Sequence, residues 1–207
     1  MLGEEKTIAE LRETVDECTL CDLSKSRTHL VFGDGSEAAE LMFVGEGPGR
    51  VEDQMGLPFV GPAGKLLDRM LEGIGIERKD VYITNVVKCR PPGNRDPLPI
   101  EHETCNPYLQ EQFRLINPRI VCALGRIAAG VLMGGTVQIT RMHGNSYERN
   151  GRIIVPVFHP AAALRSAENM RMLEHDFDML RLYLDEEPPP PAEPTPAPRE
   201  EEQLGLF

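Results

Sequence analysis

Four cysteines, Cys18, Cys21, Cys89 and Cys105, have the residue type and spacing of a metal site. The first two form a C-x2-C pair, and the other two lie far downstream in the chain. Four thiolates at such spacing bind structural zinc, and four thiolates also hold iron–sulfur clusters. The spacing does not distinguish between these two alternatives. Both are favoured over unrelated core cysteines, because Cys18 and Cys21 lie among polar residues. Either metal would fix the loop 89–105 beside the N-terminal segment.

Three polar motifs lie at the ends of short apolar runs. They are GEGPG at residues 45–49, NVVKCRPP at 85–92 and HPAAALR at 159–165. Apolar runs predict strands at 40–44, 81–87, 120–124 and 152–158, and helical periodicity predicts helices at 5–17, 62–74, 100–116, after Gly125 and at 168–184. Alternating strands and helices predict a three-layer α/β/α fold with a central four-stranded parallel sheet. Ligands bind at the carboxyl ends of such strands, so we expect one site there.

The composition predicts one domain over residues 1–184 and a disordered Pro- and Glu-rich tail over 185–207. The chain has 207 residues and a net charge of −11, but residues 185–207 contain seven acids and one arginine, and residues 1–17 contain six acids and two bases, which leaves only −1 for residues 18–184. The body is therefore close to neutral and can bind nucleic-acid phosphates through local basic residues. No apolar run is long enough for a membrane span, and the polar N-terminus does not resemble a secretory signal, so we expect a cytoplasmic protein.

Taken together, the motifs resemble the family 4 uracil-DNA glycosylases, the iron–sulfur branch of that superfamily. The resemblance covers residues 8 to 184 and rests on residues 45–49 with Glu52 and Asp53, on 56–64, on 85–95, on 159–161 and on the four cysteines. It implies a nucleoid-associated, monomeric enzyme of base excision repair that removes uracil from single- or double-stranded DNA and leaves an abasic site. It also implies a [4Fe–4S] cluster with a structural role on the cysteines. His143 departs from the family pattern, because relatives usually have Arg there.

Four residues are expected to recognise the flipped base. The side-chain amide of Asn85 can pair with O4 and N3 of uracil at once. Phe59 is expected to stack on the base, a contact worth about 1–3 kcal/mol. The resemblance implies that Glu52 crowds C5 and rejects the methyl group of thymine. Gly47 allows the backbone to approach the substrate closely.

Two further residues are expected to assist bond cleavage. His159, held by the following proline at a strand end, would donate a hydrogen bond to O2 of the departing uracil anion. Glu46 would position water or stabilise the sugar cation. No lysine nucleophile stands at the motif positions, so a monofunctional hydrolase without lyase activity is expected.

Five residues are candidates for DNA contact. Lys88, Arg90 and Arg95 would contact the phosphate backbone. Leu164 would enter the minor groove as a wedge, and Arg165 would bind phosphate.

Two other functions stay open at this point. One is a glycosylase for another deaminated base such as hypoxanthine, and the other is a non-catalytic iron–sulfur DNA-binding module. Independently, the sequence QLGLF, from Gln203 to Phe207, resembles the bacterial sliding-clamp-binding motif. A short peptide with apolar anchors on a tether is a common recognition device.

Overall fold

The sheet at the centre of the protein has six strands. A computed structural model describes residues 7–186 of the chain, and the predicted tail with its clamp-like motif lies almost wholly outside these residues. The strands are β1 (Asp34–Gly35), β2 (Leu41–Gly45), β3 (Tyr82–Asn85), β4 (Ile120–Leu124), β5 (Tyr147–Arg149) and β6 (Arg152–Val157). Their order across the sheet is β1-β3-β2-β4-β6-β5.

The α/β class is confirmed, but the sheet is mixed and six-stranded rather than parallel and four-stranded. The four predicted strands form its centre and run parallel to one another. Strand β1 pairs antiparallel with β3 at one edge, and β5 pairs antiparallel with β6 at the other. Both edge strands have only two or three residues, most of them exposed, so no apolar pattern in the sequence predicts them.

Eight α-helices accompany the sheet within the described residues. They are α1 (Ile8–Asp16), α2 (Arg50–Met55), α3 (Pro62–Gly73), α4 (Pro99–Ile116), α5 (Arg126–Met133), α6 (Ile139–Met142), α7 (Pro160–Ala163) and α8 (Ala167–Asp185). Helix α1 begins with a capping box, in which Thr7 accepts from the Glu10 N–H and the Glu10 carboxylate accepts from the Thr7 N–H. Such reciprocal bonds satisfy backbone donors that a helix start otherwise leaves unpaired.

The helices cover both faces of the sheet, which confirms the three layers. Successive strand residues point to opposite faces. Along β2, Met42 and Val44 join a core cluster with α1, α4 and α5, whereas Leu41 and Phe43 join a second cluster with α3 and α8. Between residues 7 and 186, no helix combines the length and the apolar character that crossing a bilayer requires.

Strand β3 is shorter than the predicted run 81–87. After Asn85 the chain leaves the regular ladder, although the Val86 and Val87 N–H groups still donate to the Gly45 and Glu46 carbonyls at 2.9 and 3.1 Å. This continuation keeps the start of the motif at 85–92 beside GEGPG.

Candidate active site and thiol site

A cleft of about 410 Å³ opens at the carboxyl ends of the parallel strands. Gly45 of β2 and Asn85 of β3 are opposite each other in register, so the motifs that follow them meet at this edge. The predicted residues that line the cleft are Glu46, Gly47, Glu52, Phe59, Asn85, Arg95, His159 and Arg165. The sheet topology therefore brings most of the predicted site together.

Gly45 allows Asn85 and Phe59 to share one surface. A Cβ atom on Gly45 would meet the Asn85 Oδ1 and would lie 2.6 Å from the Phe59 Cζ. Phe59 itself has a left-handed backbone with φ of 50°, which is uncommon for a bulky residue. Its ring lies 5.8 Å from the His159 ring, centroid to centroid. The aromatic platform, the amide and the imidazole thus face one space.

The side-chain oxygen of Asn85 has no hydrogen-bond partner. Asn85 is 1% exposed, and its Oδ1 is one of two buried side-chain atoms left unpaired among the described residues. A buried acceptor without a partner costs about 1–3 kcal/mol, and such groups in native proteins call for a ligand or water. The Asn85 Oδ1 therefore provides an acceptor for a donor that enters the cleft.

His159 is held as a neutral hydrogen-bond donor. Its Nδ1 accepts the Ala161 N–H at 3.1 Å, because a backbone N–H can only donate. Burial lowers the pKa of His159 to about 4, against the opposing charge of Glu52. The imidazole is therefore neutral near pH 7, and its one hydrogen is on Nε2.

Glu46 follows Gly45 and is partly buried at the mouth of the cleft. Burial raises the pKa of its carboxyl group, the charge of Asp96 raises it further, and Arg126 opposes both. Asp96 and Arg126 form an exposed ion pair at 3.1 Å. A raised pKa makes the ionised carboxylate a stronger base, which suits it to accept a proton.

Glu52 has a structural function that the sequence did not reveal. Its Oε1 accepts the N–H groups of Val60 and Gly61 at 3.1 and 2.8 Å, at the start of α3. A negative charge at a helix N-terminus is stabilising. Glu52 also lines the cleft near Phe59, and its predicted action against thymine stays a prediction.

The prediction that Lys88 contacts DNA is wrong. Lys88 is 1% exposed, and its Nζ donates to Thr84 Oγ1, Asn85 O and Gln112 Oε1 at 2.6–2.7 Å. Burial lowers its pKa to about 8. The amine therefore stabilises the backbone of Asn85 from beneath the cleft, and it does not reach the surface.

The other DNA-contact candidates lie at or near the surface. The Arg90 Nε donates to Asn94 Oδ1 at 2.7 Å, and Arg95 makes a two-bond ion pair with Glu101 at 2.8 and 2.6 Å. Leu164 is 44% exposed, and Arg165 is exposed beside the cleft. Their contacts with DNA stay predictions.

The four predicted metal ligands line a second, smaller pocket. Cys18 and Cys21 follow α1, Cys89 follows β3, and Cys105 lies on α4. Within residues 7–186, no three His, Cys, Asp or Glu side chains are arranged to hold a single metal ion. All five cysteines are free thiols, and the fifth, Cys122, lies in the core of β4.

Two donors that sequence reasoning missed point at sulfur atoms of this thiol pocket. The Arg27 Nη1 lies 3.2 Å from Cys89 Sγ, and the Tyr108 hydroxyl lies 3.3 Å from Cys18 Sγ. Hydrogen-bond donors around metal-bound sulfur are common in such sites. The residue set therefore fits a group held by four thiolates.

Comparison with known proteins is in agreement with this arrangement. A family model described as the uracil DNA glycosylase superfamily matches residues 32–181. The type-4 uracil-DNA glycosylase of Thermotoga maritima is 41% identical over 90% of this chain and 100% of the relative. The enzymes of the same name from Archaeoglobus fulgidus and Sulfurisphaera tokodaii are each 45% identical, over 83% and 84% of this chain and 90% and 84% of the relatives. The chain therefore belongs to the uracil DNA glycosylase superfamily and, within it, to the type-4 family.

Proposed function

We propose that this protein hydrolyses the N-glycosidic bond of a flipped deoxyuridine in DNA, releasing uracil and leaving an abasic site. The observation that carries the proposal is the unpaired Asn85 Oδ1, buried beside the Phe59 ring and the neutral His159. Family membership supports the same reaction.

Recognition follows from the hydrogen-bonding pattern of uracil. The base has a donor at N3 and an acceptor at O4, and the Asn85 amide offers an acceptor and a donor side by side. Cytosine has the opposite pattern at these two atoms, so it would leave the buried amide unpaired. A site with a buried polar group rejects such a mismatch strongly. Phe59 would stack on the base and replace the stacking lost from the helix.

Cleavage separates charge between the sugar and the base. The C1′–N1 bond breaks, and its electron pair leaves with N1 of uracil, while the oxygen of water bonds to C1′. The water proton passes to the Glu46 carboxylate and then to solvent, and the uracil anion takes up a proton from solvent. The His159 Nε2–H donates to O2 of the anion, where a fixed donor in a site shielded from water is most effective.

Contacts outside the cleft would hold the DNA while the base is extruded. Arg90, Arg95 and Arg165 are the candidate phosphate contacts, and the exposed Leu164 is the candidate wedge. Because unpairing costs a few kcal/mol in a duplex, release from single strands and mismatches would be fastest.

The test is release of free uracil from oligonucleotides that contain one deoxyuridine, by protein purified without oxygen. Matched oligonucleotides with thymidine, deoxycytidine or deoxyinosine are the controls. We expect release from deoxyuridine alone, with alkali-labile abasic sites and no strand cleavage before alkali. Release from deoxyinosine alone would identify a different base, and tight DNA binding without any release would identify a binding module.

The same proposal includes a [4Fe–4S] cluster on Cys18, Cys21, Cys89 and Cys105. Its support is the four-thiol pocket with its Arg27 and Tyr108 donors, together with the type-4 family. The cluster would supply a structural cross-link that ties loop 89–105 to the end of α1, and no step of the reaction passes through it. Measured iron and sulfide in the purified protein test this part.

The proposal also includes two statements about partners. The segment from Gln203 to Phe207 binds a bacterial sliding clamp, and the protein is a monomer. Capture on immobilised clamp, with and without residues 203–207, tests the first. Equal capture of both forms would contradict it. Light scattering at several protein concentrations tests whether the protein is a monomer.

A further inference from the structure

We propose that His143 and Asp176 form a positioning pair that orients His159 for its contact with the departing base. The kinetic consequence of this inference rests on the proposed function. The pair connects the loop before β5 with α8 and with the end of β6, and neither residue lines the cleft.

The connection begins at the peptide that precedes His159. Strand β6 ends at Val157, whose carbonyl accepts the Gly125 N–H at 2.9 Å. The next N–H, that of Phe158, donates to Asp176 Oδ2 at 3.2 Å. The carboxylate of Asp176 therefore fixes the orientation of the backbone immediately before His159.

The other oxygen of Asp176 is bound by His143. The distance from Asp176 Oδ1 to His143 Nδ1 is 2.6 Å, and the Asp176 side chain is 0% exposed. Burial raises the pKa of Asp176, and the hydrogen bonds from His143 and Phe158 oppose this rise by stabilising the ionised form. The ionised carboxylate can only accept, so in this form Nδ1 of His143 has the hydrogen. The His143 ring also packs edge-on against Phe158, at 4.7 Å between centroids. One residue thus holds the Asp176 carboxylate and the Phe158 ring together.

The loop around His143 is shaped to approach the carboxylate closely. A Cβ atom on Gly144 would lie 2.7 Å from Asp176 Oδ1, and Gly144 has a φ of 71°. Its N–H donates to the Pro156 carbonyl at 2.9 Å, and its carbonyl accepts the Tyr183 hydroxyl at 3.1 Å. These bonds keep His143 in register with the end of β6.

The peptide before His159 matters because the other contacts of His159 are made by its own side chain and carbonyl group. Its Nδ1 is bound by Ala161, and a Cβ on Gly125 would be 3.0 Å from His159 Cβ. Loss of the Asp176 contact would free the preceding peptide to rotate and would move Nε2 away from the base. A displacement of about 1 Å in a reacting group can lower a rate about 100-fold.

The experiment compares His143→Ala, which removes the bond, with His143→Asn, whose Nδ2 can replace Nδ1 as the donor. Asp178→Asn, an exposed change on the same helix, is the matched control. Each variant is tested for single-turnover uracil release at saturating protein, for DNA affinity, for urea unfolding and for the ¹⁵N NMR signals of the His159 ring. These signals are identified by their loss in His159→Asn.

We expect His143→Ala to lower the single-turnover rate about 10- to 100-fold, with unchanged DNA affinity and a shifted His159 ¹⁵N signal. His143→Asn and Asp178→Asn should retain the wild-type rate and signal. A wild-type rate and signal in folded His143→Ala would overturn the inference, and so would a loss explained wholly by DNA affinity. If the wild type releases no uracil, the proposed function fails, and the NMR comparison alone then decides whether the pair positions His159.

Discussion

At the scale of single residues, Asn85 is the proposed recognition residue, and its buried side-chain oxygen is unpaired. In the protein without substrate this oxygen stabilises nothing, because it has no partner. It accepts a hydrogen bond only when a donor enters the cleft. The proposed recognition and the folding stability are therefore separable at this position.

Asn85→Ala should lower uracil release far more than it lowers stability. Loss of two hydrogen bonds to the base should slow single-turnover release about 100-fold. The free energy of unfolding should change by less than about 1 kcal/mol, because two effects oppose each other. Removal of the unpaired acceptor is stabilising, and loss of the side-chain packing is destabilising. Urea unfolding and single-turnover release, measured on one preparation, check this. A large loss of stability with a proportionate loss of activity would contradict it.

His159 should make stability depend on pH. Its pKa of about 4 in the folded protein lies below the ordinary value of 6.5. Between these pH values the unfolded chain binds a proton that the folded protein does not, so stability rises with pH across this window and falls as the pH drops. His159→Asn keeps an acceptor for Ala161 but does not titrate. Its urea midpoint should change less between pH 7 and pH 4 than that of the wild type, and equal changes would be inconsistent with a neutral, partly buried His159.

At the scale of elements, two glycines of α3 lie in opposite surroundings. A Cβ on Gly64 would meet the carbonyl oxygen of Phe59, whereas one on Gly73 would have no neighbour within 4 Å. Gly64 thus permits the start of α3 to approach the backbone of Phe59, which has to keep its left-handed conformation. The helix and Phe59, the proposed stacking platform, are positioned together.

Gly64→Ala should therefore destabilise the protein, by about 1–3 kcal/mol as expected for overpacking. It should also slow uracil release, because Phe59 moves. Gly73→Ala in the same helix is the matched control and should stabilise the protein by about 0.5–1 kcal/mol, with activity unchanged. Urea unfolding and release assays distinguish the two, and similar effects of both changes would count against the Phe59 contact.

At the scale of the whole molecule, the thiol pocket and the cleft share one segment of chain. Residues 85–89 run from Asn85, through the buried Lys88, to Cys89. The Lys88 Nζ bonds to the Asn85 carbonyl, so movement at the thiol pocket would be transmitted to the proposed base-recognition site. Loading of the proposed cluster should therefore affect both stability and activity.

Cys18→Ser should reduce bound iron and lower both the unfolding midpoint and the rate of uracil release. Cys122→Ala, which alters a buried thiol of β4 outside the pocket, should retain the iron of the wild type. Iron and sulfide analysis with thermal unfolding checks both variants. Full iron content in Cys18→Ser, or a wild-type protein that folds equally well without iron, would contradict the structural role.

Much of the fold followed from the sequence because its central strands are buried on both faces and are rich in apolar residues. The edge strands did not, because two or three exposed residues have no periodicity.

The cleft residues were predictable where a motif follows a strand, as for Asn85 and His159. Lys88 was misassigned because a lysine is usually exposed. Its burial depends on hydrogen bonds to the buried side chains of Thr84 and Gln112, and no local sequence pattern indicates these bonds. The contact of His143 with Asp176 joins residues far apart in sequence, so no local pattern contains it.

Recognition of the base by Asn85 is tested most directly with deoxyuridine and 3-methyldeoxyuridine as single-turnover substrates. Methylation removes the N3 hydrogen that the Asn85 Oδ1 is proposed to accept. We expect the wild type to release the methylated base at least about 100-fold more slowly than uracil. The Asn85→Ala variant should discriminate much less between the two bases. Equal release of both bases by the wild type, or the same discrimination in Asn85→Ala, would show that Asn85 does not recognise the base.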